Sequence, residues 1–363
     1  MSAILATATT APEAPVSAAR RVSELANDLE SRMAESVEEI SELNTETRIV
    51  ALNARLEAAR LGSTHGGAFD VVAKAIQNIS QKTAHVAEHL MAEFHGVLAE
   101  MRNLNEELAT RARGDRLSDL ALANIDVIDR NLYERSCDVR WWATDQSVVD
   151  ALGSPTRETQ SIATARLGQI LDSYTVYFDI IVVDLDGRIL ANGRPNQYPV
   201  VGMNQRDKDW FLAALLTDNG TEYVQSSVRC SQLCRGERTI IYACTVRSDG
   251  NAHGEPLGVL GIVFRWDTLA QVIVERTPLS NAEWAYTRAC IVDSQGAILA
   301  DTTRDFGNQL KIPCWRDITR SNRGYRILDI DDVPHCVGHA KSPGFETYQT
   351  GWYSLVVQGT EQT

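Results

Sequence analysis

The chain has 363 residues, of which 48 are acidic and 35 are basic, so its formal net charge is −13. This acidic balance argues against a nucleic-acid or anionic-membrane partner, because either would require a basic surface. Apolar residues make up 44% of the chain, which is ordinary for a folded soluble protein. We find no run of about 18 consecutive apolar residues, the length that a membrane-spanning helix needs, and therefore expect no membrane span.

The composition divides the chain into two kinds of structure. Proline is absent between Pro15 and Pro155, whereas all seven tryptophans lie at Trp141 or later. A long proline-free interval favours long helices, because proline breaks an interior helical turn. The later part has the glycine, proline and aromatic content of a turn-rich α/β domain. We therefore predict an α+β multidomain protein, preceded by a disordered lead over residues 1–16 that has no signal-peptide pattern.

Two helical arms are predicted over residues 17–113. Apolar residues recur every three or four positions in two runs, which begin at Val22 and Val72 and flank a glycine cluster at residues 62–67. This spacing is typical of coiled-coil seams. A short glycine turn between two arms predicts an antiparallel coiled-coil hairpin with its tip near 62–67. A homodimer would bury both seams in a four-helix bundle.

The sequence around the predicted tip is distinctive. Ile49–Arg60 reads IVALNARLEAAR, and Phe69–Ala73 reads FDVVA on the other side of the glycine turn. This stretch resembles the cytoplasmic hairpin tip of methyl-accepting chemotaxis receptors. The resemblance implies that the tip binds a chemotaxis histidine kinase and its coupling protein, and that dimers associate into higher receptor clusters. By position, the residues that contact the kinase and coupling protein are Asn53, Glu57, Arg60, Phe69 and Val72.

The chain also departs from that receptor family. Arg48 and Arg55 stand where the family has small or amide residues, and the glycine turn is about one residue longer. The arms are too short to hold the separate methylation helices of full receptors. The resemblance therefore implies kinase coupling but not adaptation by methylation.

A third helix is predicted over residues 114–153. The charged segment Arg111–Arg116, which contains Gly114, is expected to end the hairpin. A new amphipathic run follows from Leu117 to Trp142. Gly153 and Pro155 then give the usual order of residues at the end of a helix.

A repeated motif predicts two similar sheet modules. Val183–Ala191 reads VDLDGRILA and Val292–Ala300 reads VDSQGAILA, which agree at six of nine positions. Each copy has the pattern of a strand, a D-x-x-G turn and a second strand. We therefore expect a first module over residues 154–280 and a second over residues 281–363.

The order of a long helix followed by two similar modules resembles the double-Cache sensor domain, with PAS-like α/β modules. The likeness is strongest at Gly202–Phe211, which reads GMNQRDKDWF. It implies that the first module binds a small ligand such as an amino acid, an amine or a carboxylate. Arg206 and Trp210 are the first candidates by position, because an arginine fork suits a carboxylate and aromatic rings form pocket walls. The family pattern has arginine and tryptophan two residues apart, whereas here they are four apart.

Four further side chains are weaker candidates for the same ligand site. Each has a polar tip and falls on an element predicted to face that pocket. They are Tyr177, Tyr223, Tyr242 and Asp267.

The cysteines admit one alternative function. Seven cysteines, an odd number without a zinc-type spacing, suit a reducing cytoplasm. Cys230 and Cys234 nevertheless allow a thiol or haem redox sensor as an alternative. We find no phosphate-binding loop and no nucleophile or paired-carboxylate motif, so the sequence predicts neither an enzyme nor a metal or cofactor.

Together these patterns predict a soluble cytoplasmic chemoreceptor-like transducer. It would sense a small molecule through its Cache modules and regulate a chemotaxis-type histidine kinase through its hairpin tip. The alternative is a non-chemotactic Cache module that a coiled coil dimerises and that signals to another regulator.

Overall fold

The computed structural model describes residues 15–60 and 67–359, in two compact units divided between Arg113 and Gly114. The helices are α1 (Pro15–Arg60), α2 (Gly67–Trp142), α3 (Gln146–Gly153), α4 (Arg157–Ser173), α5 (Asp209–Leu215), α6 (Trp266–Glu275), α7 (Asn281–Trp284) and α8 (Trp315–Ile318). The strands are β1 (Tyr177–Asp184), β2 (Ile189–Asn192), β3 (Val224–Gln225), β4 (Arg229–Cys230), β5 (Arg238–Arg247), β6 (Pro256–Arg265), β7 (Thr287–Val292), β8 (Ile298–Asp301), β9 (Arg323–Ile330), β10 (Val333–Lys341) and β11 (Tyr353–Gln358).

In the first unit, α1 and the first part of α2 run antiparallel. Asn27 of α1 accepts a hydrogen bond from Arg102 Nη2 at 2.9 Å, and Asn44 O accepts one from Ser80 Oγ at 3.1 Å. The later residue of α1 therefore pairs with the earlier residue of α2, as in an antiparallel pair. Residues 1–14 of the predicted disordered lead lie outside the described residues. Residues 61–66, which hold most of the predicted glycine turn, also lie outside them.

Small side chains fill the contact between the two helices. Ala26, Ala51, Ala58 and Ala73 are at most 5% exposed. The larger apolar residues of the predicted seams are mostly exposed in the single chain, including Leu25, Leu29, Leu43, Val50, Ile79, Val86, Leu90, Val97, Leu104 and Leu108. The homodimer that would cover them stays a prediction.

The helix break predicted at Arg111–Arg116 is wrong, because α2 continues through that segment to Trp142. Arginine and alanine favour a helix, and a single interior glycine costs only about 1 kcal/mol relative to alanine. Gly114 has a packing role instead: a Cβ there would overlap the ring of Tyr325. The helix predicted over 114–153 is thus the end of α2 followed by the separate α3.

The predicted repeat is confirmed as a repeated turn. In the first copy Asp184 Oδ1 accepts a hydrogen bond from Arg188 N at 2.8 Å, and in the second Asp293 Oδ1 accepts one from Ala297 N at 2.9 Å. The glycine of each turn has a φ near +85°, a conformation that glycine adopts without strain.

The two sheets are antiparallel and share one strand order. The first runs β2-β1-β6-β5-β3, with β4 also paired to β5, and the second runs β8-β7-β11-β10-β9. The end of α2 packs on one face of both sheets in a single hydrophobic cluster, where Leu117, Ile125, Ile128 and Leu132 are fully buried. The far faces carry separate clusters that include α5 and α8.

The second sheet lies directly against the backbone of α2. At Gly338 of β10, a Cβ would lie 2.5 Å from Leu117 Cβ and 2.6 Å from Ser118 N. Ser118 Oγ also donates a hydrogen bond to Gly324 O at 2.6 Å. A glycine at this strand position is therefore required for the close approach of sheet and helix.

Candidate ligand-binding site

Trp210 lies on the face of the first sheet that is turned away from α2. Its side chain is 2% exposed and belongs to the same cluster as Ile241 and Ala243 of β5. The ring also lies over Gly261 of β6, where a Cβ would be 3.5 Å from Trp210 Cζ3. The short helix α5 thus covers the centre of this face with an aromatic side chain.

Arg206 lies before α5 and is exposed. Its backbone is held by local contacts: Arg206 N donates to Asn204 Oδ1 at 2.8 Å, and a Cβ at Gly187 would lie 2.5 Å from Arg206 N. Within the described part of the chain, the guanidinium of Arg206 has no ion-pair partner.

A cavity of about 230 Å³ lies beside α5 and is lined by residues that include Lys208, Trp210, Arg229 and Cys230. Arg206 is not among its lining residues. Lys208 and Arg229 supply two positive charges, and Arg229 Nη1 lies 3.6 Å from Asp209 Oδ2, whose side chain is 88% exposed. A compact cavity with basic and aromatic walls suits a small carboxylate-bearing ligand.

Neither cation of this cavity is among the site residues predicted from the sequence. Lys208 stands two residues before Trp210, which is the separation of arginine and tryptophan in the family pattern, so that spacing was a usable signal. Arg229 reaches the cavity through the pairing of β4 with β5, and no local pattern marks it.

The three candidate tyrosines lie on the opposite face of the first sheet, against α2. The hydroxyl of Tyr177 hydrogen-bonds to Asp138 of α2, and the guanidinium of Arg135 lies 5.3 Å from the centre of the Tyr177 ring. Burial raises the pKa of Tyr177, and raises that of Asp138 despite this hydrogen bond. These groups hold sheet and helix together. The structure therefore does not bring Tyr177 together with Trp210.

Tyr223 and Tyr242 contact Tyr348 of the second module, on the side of the first sheet that faces α2. Tyr242 Oη lies 2.9 Å from Tyr348 Oη, which also donates to Gln225 Oε1 at 2.5 Å. The ring of Tyr223 stacks on that of Tyr348 at 6.5 Å between centroids. This contact fixes the two modules against each other. Ligand binding by these tyrosines stays a prediction.

Asp267 lies in the first turn of α6 and pairs with an arginine of the neighbouring strand. Its Oδ2 accepts a hydrogen bond from Arg238 Nε at 3.1 Å, and its Oδ1 lies 2.6 Å from Arg238 Nη2. This geometry fixes the guanidinium of Arg238 through two nitrogens. Asp267 is not among the residues that line the cavity beside α5.

The candidate thiols differ in exposure. Cys230 is exposed, whereas Cys234 is buried and its thiol lies 3.5 Å from Glu237 O. Burial raises the pKa of Cys234 to about 11, which disfavours the reactive thiolate. Among the described residues no three histidine, cysteine or acidic side chains cluster in a way that would hold a metal ion.

The five residues proposed to contact a kinase lie near the end of α1 and the start of α2, and all are exposed. Phe69 is 59% exposed and Val72 is 57% exposed. Glu57 Oε2 accepts a hydrogen bond from Arg60 Nη1 at 3.3 Å. An apolar pair of this kind beside charged side chains is a common form of protein-contact surface.

Two antiparallel sheets of one strand order, mounted on a shared helix and each with a covered far face, define a two-module sensor domain. No helix in the described ranges combines the length and apolar character needed to cross a membrane. The chain belongs to the Cache domain family, since the family model dCache_1 matches residues 67–363. The match begins at the first residue of α2, and it confirms the predicted Cache resemblance.

Part of the chain is similar to a sensory transducer, and its fold is similar to that of a chemoreceptor domain. A protein of Acetivibrio thermocellus named as a sensory transducer is 34% identical over 77 residues, which span 21% of this chain and 14% of that protein's length. The sensory domain of the Campylobacter jejuni chemoreceptor Tlp3 (CcmL) has a TM-score of 0.51 at 14% identity, over 68% of this chain and 93% of that one.

A second solved structure has a similar fold. The ligand-binding domain of the Pseudomonas aeruginosa PAO1 amino acid chemoreceptor PctC, in complex with GABA, has a TM-score of 0.50 at 18% identity. The likeness covers 67% of this chain and 98% of that one. At these identities both structures show a shared fold.

Proposed function

We propose that this chain is a signal transducer and not an enzyme. A small molecule binds the first Cache module beside α5, and the hairpin tip regulates a chemotaxis-type histidine kinase with its coupling protein. Because that kinase is cytoplasmic, the proposed site of action is the cytoplasm.

The observation that carries the proposal is the position of α2 in the chain. This helix begins at Gly67 and carries the Phe69–Ala73 part of the receptor-like motif, and its last turns lie in the core of the Cache unit. A ligand that binds one arrangement of the sheet and helix more tightly than another changes the populations of both arrangements. The kinase partner would respond to that change at the tip.

The proposed ligand carries a carboxylate, as an amino acid does. Support comes from Lys208 and Arg229, which line the cavity with Trp210. The PctC domain of similar fold is an amino acid chemoreceptor in complex with GABA. A cation pair beside an aromatic wall recognises the same class of compound.

The proposed assembly is a homodimer through the hairpin, and dimers are proposed to form higher clusters. Leu90, Val97 and Leu104 recur every seven residues and are 43%, 62% and 53% exposed. A heptad of exposed apolar residues is what a second copy would cover in a four-helix coiled coil.

A pull-down and kinase assay tests the tip. We expect the chain to retain a purified chemotaxis kinase with its coupling protein, and Glu57→Ala to reduce that retention at least tenfold. Glu38→Ala is the matched control, since Glu38 is also an exposed glutamate of α1 but lies away from the tip. The kinase proposal fails if the wild-type chain retains no kinase, or if both variants retain it equally.

A ligand screen tests the cavity beside α5. Amino acids, amines and organic acids are added to the full chain, and a ligand that binds the native state raises its melting temperature. We expect Lys208→Ala to abolish the response to the best hit. Arg206→Ala tests the candidate that the sequence predicts. If the rise in melting temperature with the best hit is unchanged in this variant, Arg206 is not part of the site.

A second candidate function is favoured by the exposed heptad residues alone. In that case the hairpin only dimerises the Cache domain, which signals to a regulator outside chemotaxis. Ligand binding and dimerisation would then persist without any kinase retention, so the same two experiments separate the candidates.

A further inference from the structure

A second cavity lies between the two sheet modules and has a volume of about 510 Å³. Its first wall comes from residues 225–230, which include the last residue of β3 and all of β4, together with the start of β5. Its other wall comes from the β7–β8 turn, from β8 and from Phe306 of the second module. We call this cavity the inter-module cleft. It is larger than the cavity beside α5 and shares Arg229 and Cys230 with it.

The walls of the inter-module cleft are mainly apolar and carry a few polar groups. Val228, Ile298, Phe306 and Trp352 supply apolar surface from both modules. Trp352 is held in place by an edge-to-face contact with Trp266, whose Nε1 donates to Leu299 O at 2.7 Å. This combination of size and lining is typical of small-molecule sites.

Arg238 is the fixed cation of the cleft. Its side chain is 17% exposed, two of its nitrogens are held by Asp267, and its guanidinium carbon lies 3.1 Å from the centre of the Phe306 ring. A carboxylate from the first module and a ring from the second thus set its plane. In the described part of the chain, the buried Nη1 of Arg238 has no hydrogen-bond acceptor. Buried donors are almost always paired, so an acceptor supplied by a ligand would satisfy this atom.

Besides Arg238, two charged side chains line the cleft, Asp293 and Arg229. Asp293 also lines it, but its Oδ1 already accepts hydrogen bonds from Gln295 N and Ala297 N, at 2.8 and 2.9 Å, within its own turn. Arg229 adds a positive charge, because its only ion-pair partner in the described ranges, Asp209, is 3.6 Å away and exposed to solvent.

From this geometry we propose that the inter-module cleft binds a small monocarboxylate with an apolar body. The carboxylate lies on Arg238, and the apolar part lies against Phe306, Ile298 and Trp352. Asp267 leaves Nη1 of the fixed guanidinium unpaired, and this nitrogen donates to the ligand carboxylate, whereas a neutral amide of the same shape lacks the negative charge. Because the ligand touches both modules, it stabilises one arrangement of them over others. The two cavities share Arg229 and Cys230, but the carboxylate position on Arg238 differs from the one proposed beside Lys208.

The test uses the full chain with butyrate, hexanoate, benzoate, phenylacetate and indole-3-acetate, each beside its primary amide. Melting temperature and calorimetric titration are measured. We expect at least one carboxylate to raise the melting temperature and to bind at least tenfold more tightly than its amide. Arg238→Lys, which keeps the charge but lacks the unpaired Nη1 donor, weakens that binding at least tenfold.

Two further variants separate the two cavities. Ser227→Trp fills the inter-module cleft from an exposed position and abolishes binding, while Lys208→Ala leaves it unchanged. The proposal is overturned if none of the five carboxylates binds, if the amides bind equally well, or if binding survives Ser227→Trp. Binding lost in Lys208→Ala and kept in Ser227→Trp also overturns it, and places the ligand beside α5.

Discussion

The contact of Gly338 with α2 gives a quantitative prediction. An alanine Cβ at this position would lie 2.5 Å from Leu117 Cβ, whereas ordinary contacts begin near 3.4 Å, so helix and sheet must separate by about 0.9 Å. The opposing atoms include helix backbone, which cannot rotate away. Overpacking of a core costs about 1–3 kcal/mol, and we expect Gly338→Ala to destabilise the Cache unit by about 3 kcal/mol. For a unit of this size that lowers the melting temperature by about 6–12 °C.

Urea unfolding followed by circular dichroism, together with a thermal scan, measures this loss. Gly153→Ala is the matched control in the same unit, because its Cβ would meet Leu257 Cδ1 at an ordinary 3.7 Å. We expect the control to change stability by less than about 1 kcal/mol. Equal unfolding midpoints for Gly338→Ala and the wild-type chain would refute the close packing of β10 on the helix.

Three other predictions concern the Cache unit and the hairpin. Asp129 is fully buried and accepts a hydrogen bond from Ser342 Oγ at 2.7 Å. Asp129→Ala should therefore lower the free energy of unfolding, measured in urea, by about 3 kcal/mol, and Asp129→Asn should lower it less. Hydrogen bonding to Arg116 lowers the pKa of Glu283 to about 2 from its ordinary 4.5. The ionised Glu283 therefore stabilises the folded state above pH 4.5, and this stabilisation is lost as the pH falls toward 2. Glu283→Gln should therefore be about 1–2 kcal/mol less stable than the wild-type chain at pH 7, with the gap closing toward pH 2; a constant gap contradicts this. Leu43→Lys should convert the proposed dimer to a monomer in analytical ultracentrifugation, and an unchanged mass would count against the exposed seam.

The repeated turn was predictable because its chemistry is local. Aspartate and glycine at fixed positions specify a tight turn, and both copies have the same hydrogen bonds to Asp184 and Asp293. Gly114 shows the opposite case. Its sequence neighbours suggested an interruption of the helix, but the glycine accommodates the ring of Tyr325, which lies far away in the sequence.

For a related reason, the sequence does not predict which of the site residues lie together. Both faces of the first sheet are buried, so the alternation that separates Ile241 from Tyr242 on β5 does not reveal which face α2 covers. The sequence therefore predicts one pocket for Tyr177 and Trp210, which lie on opposite faces of the sheet. Lys208 was recoverable from its spacing to Trp210, whereas Arg229 depends on strand pairing.

The shared helix α2 has a consequence for how the protein can be divided. Composition suggests a cut at Pro155, yet the residues that cover both sheets, from Leu117 to Trp142, precede that point. A fragment that starts at Pro155 would expose Ile180, Val182 and Val356 to water. Such wide apolar surfaces promote aggregation. Fragments for expression should therefore begin before Gly114, so that each sheet keeps the helix that shields it.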